Sequence, residues 1–155
     1  MDYPELEAID ERASFRWGID RIVDAVSQRN VICRVAECQF TSEVIGFEIS
    51  RLTRSQADFL YLSVLPAARR LGIASALIRA QQDRVTLSSM PRRQRVVCEC
   101  PAGCIDLAET LAANRFRVRS VDHARDVYEF FWLPIFKEDD DAGIRQETGR
   151  ADSDR

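Results

Sequence analysis

The chain has 155 residues, and 46% of them are hydrophobic, which suits a single folded domain with a substantial core. The formal net charge is −3 and no basic stripe with interleaved aromatic residues is present, so nucleic acid is not expected as a partner. No apolar stretch is long enough to span a bilayer, and the acidic N-terminus lacks the pattern of a signal peptide. Five unevenly spaced cysteines argue against a disulfide framework. We therefore expect a cytoplasmic protein with no membrane partner.

The predicted elements alternate between the helical period and strand-like runs of β-branched and aromatic residues. In chain order they are helix 4–13, helix 18–28, strand 30–38, strand 43–52, strand 57–64, a helix from Gly72 to about Leu87, strand 94–100, helix 106–113, strand 116–121 and strand 127–133. The first two strands are joined by a polar turn at 39–42 and read as a hairpin. This order predicts a mixed α/β sheet with helices on both faces, in one domain over residues 1–136.

The remaining segment, residues 137–155, differs in composition. It holds seven acidic and four basic residues, with one isoleucine and no aromatic residue. A segment of this kind cannot bury enough apolar surface to fold. We therefore predict a disordered acidic tail and favour a solubilising role for it over a binding arm.

The stretch "SVLPAARRLGIASALIRAQQ" (residues 63–82) joins the third strand to the third helix through a short basic loop. Pro66 ends the strand because proline cannot donate to a sheet ladder, and the helical period begins after Gly72. The first amides of a helix lack intrahelical partners and its dipole favours negative charge there, so this turn predicts an anion site to which Arg69 and Arg70 add charge. From the residues alone, an ordinary connection with surface arginines is equally consistent. A Walker loop is excluded, because no lysine and Ser or Thr follow the glycine.

The run "VLPAARRLGIA" carries Arg69, Gly72 and Ala74 at the fixed positions of the pattern Arg/Gln-x-x-Gly-x-Gly/Ala. It resembles the acyl-CoA-binding signature of the GNAT superfamily. The segments "ASFRWGIDRIVDAV" and "VAECQFTSEVIGFEI" are most similar to the ribosomal-protein-alanine N-acetyltransferases within it. The resemblance covers roughly residues 4–133. It implies a single-domain GNAT-like fold, acetyl-CoA as the acetyl donor, and a primary amine as acceptor, either a protein N-terminus or a small amine.

The resemblance also assigns roles to individual residues. Those expected to bind the cofactor are Leu62, Ser63, Val64, Arg69, Arg70, Leu71, Gly72, Ile73, Ala74 and Ser75. The first three would lie along the pantetheine arm at a splayed sheet edge, and the others would wrap the pyrophosphate. Glu99 matches the general base that takes a proton from the attacking amine, a role that burial beside Val97 and Cys98 would favour. Without the resemblance, a structural carboxylate at a strand end is the preferred interpretation of Glu99.

The chain departs from the family at several positions. Leu111 stands where the family has the tyrosine that protonates the leaving thiolate, and Cys104 stands where an asparagine that contacts CoA is usual. An obvious first strand is also lacking. Tyr61 and Tyr128 are candidates for a substitute proton donor. These departures keep a second hypothesis open, a catalytically weak or inactive domain that binds CoA or a partner.

We interpret the remaining candidate site residues, which are cysteines, a histidine and tryptophans, as having no role in the site. Cys98, Cys100 and Cys104 form C-x-C-x₃-C without a nearby histidine, whereas zinc sites more often show C-x₂-C pairs, so we expect structural cysteines and no metal. His123 lies in a polar loop that borders the acceptor site in this fold, and we expect it to be exposed and without a role. Trp17 and Trp132 are expected in the core and not as residues that stack on a ligand.

Overall fold

A six-stranded mixed sheet forms the centre of the protein, seen in a computed structural model that describes residues 3–13, 15–87 and 95–136. The strands are β1 (Val31–Glu37), β2 (Val44–Leu52), β3 (Gln56–Val64), β4 (Arg95–Pro101), β5 (Arg117–Asp122) and β6 (Val127–Trp132). The helices are α1 (Tyr3–Asp10), α2 (Ile19–Val26), α3 (Ile73–Leu87) and α4 (Ile105–Ala113), with a 3₁₀ turn (Pro66–Ala68) before α3.

The strands lie side by side in the order β1-β2-β3-β4-β6-β5. Within this sheet β3 and β4 run parallel, and the other neighbouring pairs are antiparallel. The element order and the mixed sheet confirm the predicted fold class. The predicted disordered tail, residues 137–155, and the residues that follow Leu87, 88–94, lie outside the described residues.

Two groups of buried side chains flank the sheet. One includes Leu6 of α1 and Ile22 of α2, each at most 1% exposed. The other includes Ile78 of α3, Leu111 of α4 and Trp132 of β6. Burial of each such side chain contributes about 1.5–3 kcal/mol relative to exposure, so the apolar stripe of each helix fixes it against the sheet.

β3 and β4 are paired over only the first part of their length. Their last pair is Phe59 opposite Cys98, although β3 continues to Val64 and β4 to Pro101. At the same point the register between β2 and β3 shifts, so that Leu60 has no opposite residue. A β-bulge of this kind bends the strand that carries it. The two strands therefore diverge and leave backbone edges that face each other without pairing.

A buried carboxylate joins the N-terminal helices to the sheet. Asp10, at the end of α1, accepts hydrogen bonds from the backbone N–H groups of Trp17 and Gly18 at 2.8 Å each and from the Tyr61 hydroxyl at 2.6 Å. Burial acts to raise the pKa of Asp10, but these hydrogen bonds outweigh it and the pKa lies below its usual value. The segment between α1 and α2 is thereby fixed against β3. Among the described residues, helices and no strand precede β1, as the sequence predicts.

Polar side chains are also buried on β2 and α3. Glu48 of β2 and Gln81 of α3 are both 0% exposed. The Ser50 hydroxyl donates a hydrogen bond to Glu48, and Arg34 Nη1 lies 3.9 Å from Glu48 Oε1. Burial raises the pKa of Glu48 to about 7, against the opposing effects of Ser50, Arg34 and Arg84. An ionisable group is thus enclosed in the middle of a strand.

Candidate active site

The diverging ends of β3 and β4 open a cleft with a volume of about 1520 Å³. Its walls come from the segment before α2, from β3, from the loop and first turn that lead into α3, from the ends of β4 and β6, and from α4. In an antiparallel pair, alternate residues direct their N–H and C=O groups away from the partner strand. Beyond Phe59, β3 therefore offers such groups to the cleft, where an extended ligand can pair with them in place of β4.

The loop between β3 and α3 forms one wall of the cleft. Arg70, with φ 65°, and Gly72, with φ 77°, both have left-handed backbone. Left-handed residues within a loop can turn successive N–H groups toward a common concavity that suits an anion. The first turn of α3 contains no acidic side chain, and its first amides have no intrahelical partners. The loop thus combines backbone N–H groups, a helix N-terminus and the charges of Arg69 and Arg70.

Two glycines and one hydrogen bond set the shape of this loop. A Cβ at Gly72 would meet nothing within 4 Å, so glycine is needed there for its backbone conformation and not for space. A Cβ at Gly46 on β2 would lie 3.1 Å from Ile73 Cγ2, so glycine at that position lets the start of α3 approach the sheet closely. Asn114 Nδ2, at the end of α4, donates to Ser75 Oγ at 3.0 Å and ties the two helices together beside the cleft.

The residues predicted to bind the cofactor lie together in this cleft, with one exception. Leu62, Ser63 and Val64 of β3 line it, as do the predicted residues of the loop and of α3 apart from Leu71. The Leu71 side chain is 71% exposed. Glu99 lines the same cleft from β4, so the structure brings the predicted base and the predicted cofactor loop to one site.

Glu99 follows the last residue of β4 that pairs with β3. The predicted burial of Glu99 beside Val97 and Cys98 is wrong, because its side chain is 56% exposed. Glu99 lies on the face opposite Cys98 and Cys100 and, unlike the buried Val97 on that same face, comes after the last residue of β4 that β3 covers. Both of its oxygens accept hydrogen bonds from the Arg125 guanidinium, Oε1 from Nη2 at 3.0 Å and Oε2 from Nη1 at 3.3 Å.

Arg125 reaches Glu99 from the turn between β5 and β6. Its Nε donates to Asp122 Oδ2 at 2.7 Å. The hydrogen bonds to Glu99 and then to Asp122 raise the pKa of Arg125, and the Arg125 contact lowers the pKa of Asp122. His123 of the same turn is exposed, so the side chain that this turn contributes is Arg125. The sequence analysis missed this arginine, since nothing in the local pattern separates it from the others.

Further charged side chains lie on the cleft wall beside Glu99. Glu129 lies opposite Glu99 on β6 and accepts a hydrogen bond from Arg119 Nη2 at 2.6 Å. Asp58 of β3 accepts one from Gln56 Nε2 at 2.6 Å, and burial raises the pKa of Asp58. The wall is therefore rich in carboxylates that already have partners.

The opposite side of the site is aromatic. Phe15 and Trp17 line the cleft from the segment before α2, and the Trp17 ring lies 4.9 Å from that of Tyr61. Trp17 is only partly buried and packs against the edge of the core, whereas Trp132 lies fully within it. Burial, followed by the hydrogen bond to Asp10, raises the pKa of Tyr61. The fixed contact between Asp10 and Tyr61 holds this aromatic wall in place.

Leu111 does not face the cleft. It is 0% exposed and belongs to the core under α4, whereas Thr110 beside it lines the cleft. Of the two predicted substitute proton donors, Tyr61 lines the cleft but donates its hydroxyl proton to Asp10, and Tyr128 is not part of the described lining. Neither of these two tyrosines is therefore placed in the cleft with a hydroxyl proton free to act in place of the missing one.

The cysteines are core or wall residues. Cys98 and Cys100 are 4% and 0% exposed, and burial raises the pKa of the Cys100 thiol to about 11. Cys104 lines the cleft at the start of α4, and burial, followed by the charge of Asp106, raises the pKa of its thiol. Within residues 3–13, 15–87 and 95–136, no group of three or more His, Cys, Asp or Glu side chains is arranged to hold a metal ion. In that same part of the chain, no helix combines the length and apolarity needed to cross a membrane.

No protein-family model and no curated protein matches the chain, whereas many solved structures do. The ribosomal-protein-S18-alanine N-acetyltransferase from Escherichia coli superposes with a TM-score of 0.68 at 14% identity, over 84% of each chain. Arabidopsis thaliana NAA60 in complex with a bisubstrate analogue gives 0.68 at 20% identity, over 85% of this chain and 92% of that one. The PaiA N-acetyltransferase from Thermoplasma acidophilum in complex with coenzyme A gives 0.71 at 12% identity, over 85% and 92%.

This protein has the GNAT N-acetyltransferase fold. The fold implied by the predicted resemblance to the GNAT superfamily is confirmed, and the ribosomal-protein-alanine enzyme shares this fold with the other neighbours. Because one fold can host several activities, the reaction and its substrates have to be argued from the site.

Proposed function

We propose that this protein is an acetyl-CoA-dependent N-acetyltransferase that transfers acetyl to a primary amine, with a protein N-terminus as the leading class of acceptor. The observation that carries the proposal is that Glu99 and the anion-binding loop line one cleft, where β3 and β4 part. Solved neighbours of the same fold hold coenzyme A or a bisubstrate analogue, which supports acetyl-CoA as the donor.

In this proposal, different residues of the cleft bind the acetyl donor and deprotonate the acceptor. The loop Arg69–Ser75 holds the pyrophosphate, and the backbone of Leu62–Val64 pairs with the pantetheine arm. The acceptor nitrogen attacks the thioester carbonyl carbon, a C–N bond forms, and the C–S bond breaks to release the CoA thiolate. Glu99 takes the proton from the attacking amine, directly or through one water.

The thiolate receives its proton from water. Leucine at position 111 has no proton to give and the Tyr61 proton is bonded to Asp10, so neither side chain supplies it. A positioned general acid is worth about 10²–10⁴-fold in rate, and we therefore expect turnover below that of an enzyme with a dedicated acid.

Acetyl transfer is tested by mass spectrometry on a panel of N-terminal peptides and polyamines, with Glu99→Gln and Glu129→Gln as a matched pair. The two glutamates face each other on β4 and β6 and line the same cleft. Glu99→Gln should lower kcat by about 10²-fold or more and leave acetyl-CoA affinity nearly unchanged, because the carboxylate acts on the acceptor. Glu129→Gln should retain most of the activity. An undiminished rate in Glu99→Gln would remove Glu99 from the mechanism.

The second candidate is a CoA-binding domain without catalysis, which the burial of Leu111 favours. It predicts that acetyl-CoA raises the thermal midpoint while no acceptor is acetylated. The division into residues 1–136 and an acidic tail 137–155 stays a prediction from the sequence, as do the cytoplasmic location and the expected lack of nucleic-acid and membrane partners.

A further inference from the structure

The ion pair between Glu99 and Arg125 lies where the acceptor amine has to approach Glu99. Both carboxylate oxygens of Glu99 are bonded to the guanidinium, so an amine that pairs with Glu99 in place of Arg125 opens one or both of these bonds. The two side chains are 56% and 59% exposed, and ion pairs this exposed contribute little to stability. Displacement is therefore easy, but it leaves a guanidinium edge without its anion.

Asp122 holds Arg125 from the other side, so it is the Glu99 carboxylate that turns away from the guanidinium when the pair opens. Asp122 Oδ2 accepts from Arg125 Nε at 2.7 Å, and Oδ1 accepts from the backbone N–H groups of Ala124 and Arg125 at 3.1 and 3.2 Å. The Nη1 and Nη2 groups that now bond Glu99 then present two parallel N–H donors beside it. This fork matches the geometry of a carboxylate.

Beside Glu99, Arg125 is a cation placed to bind an anion, whereas Arg119 is engaged by another carboxylate. Arg119 on β5 is bonded through Nε and Nη2 to Glu129, which also accepts from Ser120. Asp58, Glu99 and Glu129 line the cleft and would repel a negative group that lacked a cationic partner.

On the basis of the proposed acetyl transfer, we propose that the acceptor is an amine with a carboxylate a few bonds away. Its nitrogen binds Glu99 and its carboxylate binds Arg125. The single pair Glu99–Arg125 is exchanged for two pairs, so neither side chain is left without a counter-charge. A free α-amino acid and a peptide whose first residue is Asp or Glu both carry this chemistry.

The test compares kcat/KM for acceptors that differ only in the carboxylate. Peptides that begin with Glu or Gln, and with Asp or Asn, form one arm, and free amino acids with their α-amides form the other. The wild type should prefer the acid by at least 10-fold in one arm, and the arm that responds identifies the source of the carboxylate. Arg125→Gln should abolish the preference and Asp122→Asn should reduce it, whereas Arg117→Gln, a control on β5 whose guanidinium stacks on the Phe136 ring, should keep it.

The outcomes separate this inference from the function on which it rests. Equal kcat/KM for acid and amide in both arms, or a preference that survives Arg125→Gln, would overturn the carboxylate site and leave acetyl transfer standing. Absence of transfer to every acceptor, while acetyl-CoA still raises the thermal midpoint, would overturn the proposed function and this inference with it. Thermal midpoints of the three variants within a few degrees of the wild type establish that each is folded.

Discussion

Glu48→Gln tests the cost of ionising a carboxylate that is enclosed in the middle of β2. Glu48 is 0% exposed, and Arg34 Nη1 is 3.9 Å away, too far for a hydrogen bond. Burial raises the pKa of Glu48 from 4.5 to about 7. Between these pH values the native protein keeps a proton that the unfolded chain has lost, so the free energy of unfolding falls as the pH rises through this window.

The magnitude follows from the pKa. A tenfold change in an equilibrium constant is about 1.4 kcal/mol, so a pKa raised from 4.5 to about 7 lowers the stability at pH 8 by roughly 3 kcal/mol. Glutamine keeps the shape of the side chain and an oxygen that accepts from Ser50, but it does not ionise. We expect Glu48→Gln to be more stable than the wild type by about 2–3 kcal/mol at pH 8 and by less than about 1 kcal/mol at pH 5.

The assay is urea denaturation with linear extrapolation at pH 5, 6, 7 and 8. Glu37→Gln, at the exposed end of β1, is the matched control and should stay within about 0.5 kcal/mol of the wild type at each pH. A Glu48→Gln protein no more stable than the wild type at pH 8 would refute the reasoning, because Arg34 and Arg84 would then offset the burial in full. An equal gain at pH 5 and pH 8 would attribute the effect to packing instead of ionisation.

Three further predictions concern the cleft and α3. Gly72→Glu should abolish the rise in thermal midpoint that acetyl-CoA produces, because it places a negative charge at the pyrophosphate. Gly72→Asn should retain the rise, since asparagine tolerates left-handed backbone. An equal rise in the wild type and in Gly72→Glu would place the cofactor elsewhere. Leu111→Tyr should lower stability by about 1–3 kcal/mol without raising turnover, because the side chain is fully buried, and a folded variant with higher turnover would contradict this. Gln81→Leu should raise stability by about 1–2 kcal/mol, because neither amide atom of Gln81 has a hydrogen-bond partner in the described part of the chain. Gln82→Leu should lower stability by a similar amount, because Nε2 of Gln82 donates to the Asn114 carbonyl at 2.7 Å. A loss of stability in both variants would mean that water bonds Gln81.

The elements and the loop between β3 and α3 could be predicted because their signals are local. Helical and strand periods differ within a few residues, and proline and glycine mark the junction of β3 with α3 at Pro66 and Gly72. The loop residues that line the cleft are consecutive in the chain, so the backbone that forms the turn also brings them together. The sequence also indicates that helices and not a strand precede β1 in the described part of the chain, since the apolar residues there repeat at helical spacing.

The chemistry of the site depended on contacts between residues that are distant in the chain. Arg125 meets Glu99 across 26 positions, and Tyr61 meets Asp10 across 51, so neither pair leaves a local pattern. Glu99 is exposed because of its place in the alternation of β4, next to the point where β3 departs, and that point is set by the bulge at Leu60. Strand order and side-chain direction decide which of many similar arginines and carboxylates meet. These are properties of the packed sheet, and only the tertiary structure determines them.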